Sequence, residues 1–349
     1  MTKKKLNVAV IGCGKIAQMR HLPEYAANPN VTLVGYFDYT AQRAARAAQE
    51  YGGQVYASIK ELLADSKIDA VSVCLANAAH AQVSIQALEA GKDVLCEKPM
   101  ATTIEDCKAM IHAARDYHRA LMIGHNQRLA QAHLTAKKLL SQGLIGRVLS
   151  FKTTFGHGGP EQWSVNAGPG TWFFDQNRSK FGAIFDLGVH KTDLIQYLLD
   201  SRVVSVSAKM ATLDKKDADG NFIAVDDNAI SIYTMANGAI GTMSASWTYY
   251  GEEDNSTILY GSKGIMKIYD DPHYAIKIIL KNGEKIFYDT DQIQTNDHQA
   301  NSGVIDEFVS AILEKRPSMI DAITVLAAMR AVFAAVESNK LGKTVQVTK

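Results

Sequence analysis

The chain has 349 residues, 47% of them hydrophobic and 21% charged, a length beyond one domain's usual share and a composition able to bury large cores. Its 37 Lys and Arg against 36 Asp and Glu leave a formal net charge of +1. That balance excludes the basic excess of a nucleic-acid binder and leaves little attraction to anionic membranes.

Residues 5–124 alternate between strand and helix patterns. Val/Ile/Leu/Ala-rich runs predict strands at 7–11, 32–37, 70–74, 93–96 and 121–124, and helices at 15–25, 41–51, 59–64, 79–90 and 104–117. Strands without polar alternation suit a parallel sheet covered on both faces, and the β/α alternation predicts a doubly wound α/β domain. Thr102 and Glu105 have capping-box spacing before the helix at 104. Lys3-Lys4-Lys5 before apolar residues resembles an export signal, but the apolar run breaks at Gly12 and already forms the first strand.

That strand ends in Gly12-Cys13-Gly14-Lys15-Ile16-Ala17. Strand, G-x-G-x-x-A and helix together make a dinucleotide-binding fingerprint. Gly12 permits the tight turn, Gly14 lets a pyrophosphate approach the backbone, and Ala17 lets helix and strand pack closely. The free N–H groups at the helix start, from Lys15 and Ile16 onward, face the phosphate. Asp38, at the end of the second strand, is placed to accept from the adenosine ribose hydroxyls and to repel a 2′-phosphate. Tyr39 and Thr40 follow it with no adjacent cation, which favours NAD; Arg43, one helical turn on, leaves NADP possible.

After residue 125 the pattern changes. A helix at 130–142 leads through Gly143 and Gly146 to a strand at 148–154, then a long loop at 155–171 and a helix at 182–199. Strands are expected at 203–210, 228–235, 239–247, 256–260, 264–268, 275–280 and 285–288, with Asn237-Gly238 and Asn282-Gly283 as hairpin turns. The tail reads as helical over 304–338, with an extended end at 344–347. The expected division is a dinucleotide-binding domain at 1–124 and an α+β domain at 125–349, with a large, mostly antiparallel open sheet and a C-terminal helix able to pack back on the first domain. The apolar stretch 321–338 contains Arg330 and Glu337 and reads as a core helix, not a membrane span.

Glu97-Lys98-Pro99 ends the fifth strand, at the carboxyl edge where open α/β sheets bind ligands; a solvated turn lysine is the plainer alternative. In Asp186-Leu187-Gly188-Val189-His190 the i,i+4 spacing puts Asp186 and His190 on one helix face, a general acid/base arrangement, with Asp193 extending it. A capped helix with a buried, satisfied histidine fits the same pattern. Gly188 costs helix stability, which a closely approaching group would explain. The loop 155–171 carries His157, Trp163 and Asn166, with Trp172 just after; aromatic faces and amides suit a polyhydroxylated ring. His157, His190, His273 and His298 lack zinc-ligand spacing, and Asp217-Ala218-Asp219-Gly220 lacks the closing Glu of a calcium loop, so no metal is expected. Four cysteines, at 13, 74, 96 and 107, form no C-x-x-C pair, which suits a reduced cytoplasmic protein.

Together these motifs resemble the glucose–fructose oxidoreductase / inositol dehydrogenase / rhizopine catabolism (Gfo/Idh/MocA) family over nearly the whole chain. The marks are the glycine loop, Glu97-Lys98-Pro99 and the Asp186-x-Gly188-x-His190 element, with Asn77-Ala78-Ala79-His80, Arg128 and Trp172 also where the family tends to have such residues. The resemblance implies an NAD(P)-dependent dehydrogenase or reductase of a sugar or cyclic polyol. It implies catalytic roles for Lys98, Asp186 and His190, and cofactor contacts from Asn77, His80, Glu97 and Asn126 besides the glycine loop. It also implies a homodimer or homotetramer built through the open sheet. Ala76 replaces a usual Pro, Lys180-Phe181 interrupt a glycine run before Gly182, and Asn301 stands where inositol-type members have Tyr; the last two put an inositol substrate in doubt. Two other activities share these marks: an NAD-dependent glycoside hydrolase working by transient oxidation and elimination, and a non-catalytic dinucleotide sensor. Retention of Lys98, Asp186 and His190 together argues against the sensor.

Overall fold

A computed structural model describes residues 5–290 and 301–348; Lys3, Lys4 and His298 lie outside the described residues. The chain divides into two units. The first holds the residues up to Asn126 and the described part of 295–326; the second holds 127–294 and everything from Ala327 onward. The break after Asn126 falls beside the expected 124/125 boundary, but 301–326 belong with the first unit and not with the α+β domain.

In the first unit, β1 (Leu6–Ile11), β2 (Val31–Phe37), β3 (Gln54–Val55), β4 (Ala70–Val73), β5 (Asp93–Cys96) and β6 (Leu121–Ile123) form a six-stranded sheet in the order β3-β2-β1-β4-β5-β6. Every pair is parallel. Val8, Val10, Ile11, Val71, Val73, Val94 and Leu95 are all fully buried, as expected where helices cover both faces. The order reverses between β1 and β4, the switch point where such sheets open a crevice at the strands' carboxyl ends. The two-residue β3 is too short to show a pattern in the sequence.

Residues 15–27 are helical, with a π-turn at Ala17–His21. The helix Ile104–Asp116 is capped by Thr103, whose side chain accepts from Asp106 N at 3.0 Å. The cap is therefore one residue later than the Thr102–Glu105 spacing suggested, because Thr103 takes the extended backbone that a capping residue needs. The expected single helix at 304–338 is two helices, Val304–Glu314 and Ala322–Leu341. The break follows Lys315, at φ 53°, and contains Pro317, which has no N–H to continue the ladder. The segment joins the first unit through Ser302, which donates from N and Oγ to the buried Glu24 carboxylate at 2.8 and 2.9 Å, and through Ile123 N, which donates to Ile320 O at 3.0 Å.

In the second unit, β7 (Val148–Gly156), β8 (Val203–Ala211), β9 (Asn228–Met235), β10 (Ile240–Ser246), β11 (Thr257–Gly261), β12 (Gly264–Ile268), β13 (Ile276–Leu280), β14 (Lys285–Tyr288) and β15 (Val345–Gln346) form a nine-stranded sheet ordered β14-β13-β12-β11-β7-β10-β9-β8-β15. All neighbours are antiparallel except β7 and β10. The helical stretch 184–199 packs on one face. There a Cβ on Gly188 would lie 2.9 Å from Ile184 Cδ1, 3.2 Å from Met243 and 3.4 Å from Ala245 on β10. Close approach of the sheet therefore accounts for this helical glycine. Ala322–Leu341 is long and apolar enough to cross a membrane by length and composition alone, but its Val325, Ala328, Met329, Val332 and Ala335 are buried within the protein.

Candidate active site

The glycine loop sits at the switch point. Gly12 has φ +96°, and a Cβ there would lie 2.6 Å from Cys74 O, so only glycine fits between β1 and β4. A Cβ on Gly14 would meet nothing within 4 Å, which leaves the backbone open to a phosphate group. Asp38 anchors the loop: one carboxylate oxygen accepts from Cys13 N and the other from Thr40 N, each at 2.7 Å. Each oxygen keeps a second lone pair for a ribose hydroxyl. Arg43 Nη1 is 3.8 Å from the same carboxylate. Lys15 and Ile16 open the helix beyond the loop, so the residues present fit a dinucleotide. The Cys13 thiol is buried and is pushed up to about 12 by that burial and by the Asp38 charge, which makes it a packing group and not a nucleophile.

Lys98 follows β5 and precedes a cis Pro99. Its backbone N donates to Glu97 Oε2 at 3.1 Å, while Glu97 Oε1 meets His21 Nε2 at 2.9 Å. Burial alone would raise the Glu97 carboxyl, but the His21 hydrogen bond and the nearby Arg20 and Lys98 charges hold it at about 2. Asn77 lies in a turn at Asn77–Ala79 and is buried. His80 is buried with Nδ1 on Pro99 O at 2.7 Å and Nε2 on Leu75 O at 3.0 Å. Both ring nitrogens thus face carbonyl oxygens, of which the single N–H of a neutral imidazole bonds one, and the ring lies between the loop after β4 and the turn after Lys98. Asn126 N donates to Gly124 O at 3.0 Å in the turn that ends the unit.

In the second unit a helix start is built around Gly182. Asp226 caps it, accepting from Gly182 N and Ile184 N at 2.8 Å each, while its own carbonyl accepts from Ala183 N at 2.8 Å. Burial pushes the Asp226 carboxyl up to about 7 against the pull of those N–H groups. One turn later Asp186 accepts from the Trp247 indole N–H at 3.0 Å. His190 is buried, with its ring 5.9 Å from that of Phe155. Asp193 pairs with Arg128 through two short hydrogen bonds, 2.6 and 2.5 Å; this acid serves a buried ion pair and does not extend the Asp186–His190 set.

The loop after β7 carries the expected aromatic residues. His157 Nδ1 accepts from Gly159 N at 3.0 Å, and its ring meets Trp163 edge-on at 6.2 Å. Trp163 packs on Phe173 at 5.2 Å, and Phe173 stacks on Trp172 at 4.0 Å and meets Trp247 at 6.3 Å. An aromatic chain thus runs from the loop to the residue that holds Asp186. Asn166 is exposed, and its backbone O accepts from Ser164 Oγ at 3.0 Å.

Sequence reasoning missed His21, Asp226, Trp247 and Lys191. Only Trp247 carried a signal, as an aromatic ending a predicted strand. Lys191 is fully buried and donates to Asn255 O at 2.8 Å. Burial pushes its ammonium down from 10.5 to about 7, with Asp254 and Glu253 pulling back. The neighbouring His133 is held near 3 by burial and by the Lys191 charge. The unfolded chain keeps the lysine proton up to about 10.5, whereas the folded chain releases it near 7, so stability rises with pH across that interval. The slope is at most ~1.4 kcal/mol per pH unit. Lys191→Met is expected to flatten the dependence of melting temperature on pH between 7 and 10.5. Parallel curves for the two proteins would contradict this assignment.

A glycine loop at a switch point and an acid directly after the second strand are the frame of a dinucleotide-binding domain. Residues 6–125 match the oxidoreductase family with an NAD-binding Rossmann fold, and residues 133–267 match the Gfo/Idh/MocA C-terminal domain. The chain is 30% identical to levoglucosan dehydrogenase of Pseudarthrobacter phenanthrenivorans over 75% of its length and 73% of the relative's. It is 27% identical to inositol 2-dehydrogenase of Rhizobium meliloti over 91% and 93%. A solved structure of levoglucosan dehydrogenase in complex with NADH superimposes with a TM-score of 0.87 at 25% identity, covering 99% of this chain and all of that one. The chain belongs to the Gfo/Idh/MocA family and is an NAD-dependent oxidoreductase.

Proposed function

We propose that the protein oxidises a secondary alcohol of a sugar or cyclic polyol to the ketone, or runs the reverse reduction. The observation that carries this reading is the buried Asp186 and His190 on one capped helix, in a chain that also keeps Lys98 after β5. NAD held at the glycine loop and Asp38 would supply a two-electron hydride acceptor for the carbinol carbon. His190 takes the hydroxyl proton as that carbon becomes a carbonyl, and Asp186 stabilises the imidazolium that results. Lys98, at the carboxyl end of the parallel sheet, is a cationic donor suited to steadying negative charge that develops on a substrate oxygen. The relatives named above and a glucoside 3-dehydrogenase of Escherichia coli, 30% identical over 57% of this chain, support a sugar-like substrate.

His157, Trp163, Asn166 and Trp172 form the proposed substrate wall. In support, His157, Trp163, Phe173 and Trp172 form one run of aromatic rings, and aromatic faces supply broad apolar contact for the carbon faces of a sugar ring. For the oligomer we favour a homodimer, or a homotetramer made of two such dimers, through the sheet's open face. The cross-strand register puts Ile230, Ile232, Ile240 and Tyr260 on that face, and they are 58%, 56%, 55% and 39% exposed, an apolar patch of the kind that marks an interaction surface. A reduced, cytoplasmic setting suits four free, buried cysteines.

The test is a panel of anhydrosugars, glucosides, inositols and aldoses with the purified protein, following reduced nicotinamide by absorbance. Turnover is expected with at least one of these and with higher catalytic efficiency for NAD than for NADP, because Asp38 repels a 2′-phosphate. Asp38→Ala is expected to narrow that gap. Silence across the panel would remove the substrate class, and equal use of NADP by the parent would remove the assignment of Asp38.

A further inference from the structure

A buried relay lies under Lys98. Tyr25 OH and Ser72 Oγ are 2.8 Å apart, Ser72 Oγ and His21 Nδ1 3.0 Å, and His21 Nε2 and Glu97 Oε1 2.9 Å; Glu97 Oε2 then accepts from Lys98 N at 3.1 Å. Tyr25, Ser72, His21 and Glu97 are all buried, His21 completely. The carboxylate can only accept, so the His21 Nε2 carries a proton toward it. A Cβ on Gly124 would lie 3.0–3.2 Å from the Glu97 carboxyl group, so the backbone after β6 closes over it. His21 is the last residue of the π-turn in the helix that begins at the glycine loop, and π-turns recur at functional sites because they re-aim a side chain.

We propose that His21 is a positioning residue for Lys98, acting through the Glu97 carboxylate and tying the phosphate-binding helix to the end of β5. The inference rests on the reading of Lys98 as a group that touches the reacting oxygen. Two nearly isosteric substitutions separate the two sides of the imidazole. In His21→Gln the amide nitrogen takes the place of Nε2 and still donates to Glu97. In His21→Asn the amide takes the place of Nδ1, keeps the Ser72 side and loses Glu97.

His21→Asn is expected to lower kcat about tenfold to a hundredfold, the scale on which a misplacement of ~1 Å acts, with the NAD dissociation constant changed less than about threefold. His21→Gln is expected to keep kcat near that of the parent. In a Lys98→Met background His21→Asn is expected to cause no further loss, because its target is gone. Equal behaviour of the Asn and Gln variants, or an undiminished loss in the Lys98→Met background, would overturn the positioning role. So would a fall in melting temperature with kcat intact in the cold. If His21→Asn matches the parent while Lys98→Met is impaired, only this inference fails. If Lys98→Met itself turns over normally, the catalytic reading of Lys98 fails first and takes the inference with it.

Discussion

His190→Ala is expected to lower turnover by ~10²–10⁴-fold, the usual worth of general acid–base help. The loss is expected to persist at saturating NAD, since the glycine loop and Asp38, to which cofactor binding is assigned, belong to the first unit and are untouched. Lys98→Met is expected to cut turnover as well. The double variant is expected to lose less than the product of the single losses, because groups that serve one reaction step are non-additive. A histidine with only a packing role would behave differently. His190 is buried against Phe155, and its removal would then lower the melting temperature and leave turnover in the cold unchanged. Measuring turnover and thermal unfolding on the same preparation separates the two, and an early-melting, fully active His190→Ala protein would take the catalytic role away.

Gly182→Ala is expected to damage the same site from its foundation. A Cβ at that position would lie 1.8 Å from Asp226 O and 2.8 Å from Asp226 C, both backbone atoms that cannot swing aside. The helix start would have to move away from Asp226, weakening three hydrogen bonds that now hold it. Forced overpacking of this kind costs about 1–3 kcal/mol, occasionally more. Asp186 and His190 ride on the displaced turn, so kcat is expected to fall by ~10²-fold as well. Gly251→Ala is the control, since a Cβ there meets nothing within 4 Å, and it is expected to change neither quantity. Parent-like melting and turnover in Gly182→Ala would show that the turn has room to yield and that Asp226 does not set the helix.

The Asp226 cap also accounts for a departure seen in the sequence. Lys180 and Phe181 interrupt the glycine run that the resemblance implies before this helix, yet the one glycine the backbone cannot replace, Gly182, is present. Lys180 adopts a positive φ of 68° without being glycine, and Phe181 packs its ring 4.5 Å from that of Phe185.

What the sequence determined by itself is what short-range chemistry encodes. Apolar runs with helical segments between them specify a parallel sheet covered on both faces, and Gly12, Gly14 and Ala17 specify the turn that follows β1, because each requirement falls within a few residues of backbone. Asp38, Lys98, Asp186 and His190 could be singled out for the same reason: strand ends and an i,i+4 helix spacing are local patterns. The tertiary structure decided which groups hold those residues in place. His21 reaches Glu97 across 76 positions, Trp247 reaches Asp186 across 61, and Asp226 caps Gly182 across 44. Such pairs depend on strand order and register, where a shift of one residue turns a side chain to the opposite face. The same holds for Lys191, one residue past His190, and for residues 301–326, which return to the first unit. Their burial follows from which surfaces meet after the chain has folded, and no periodicity in the sequence carries that.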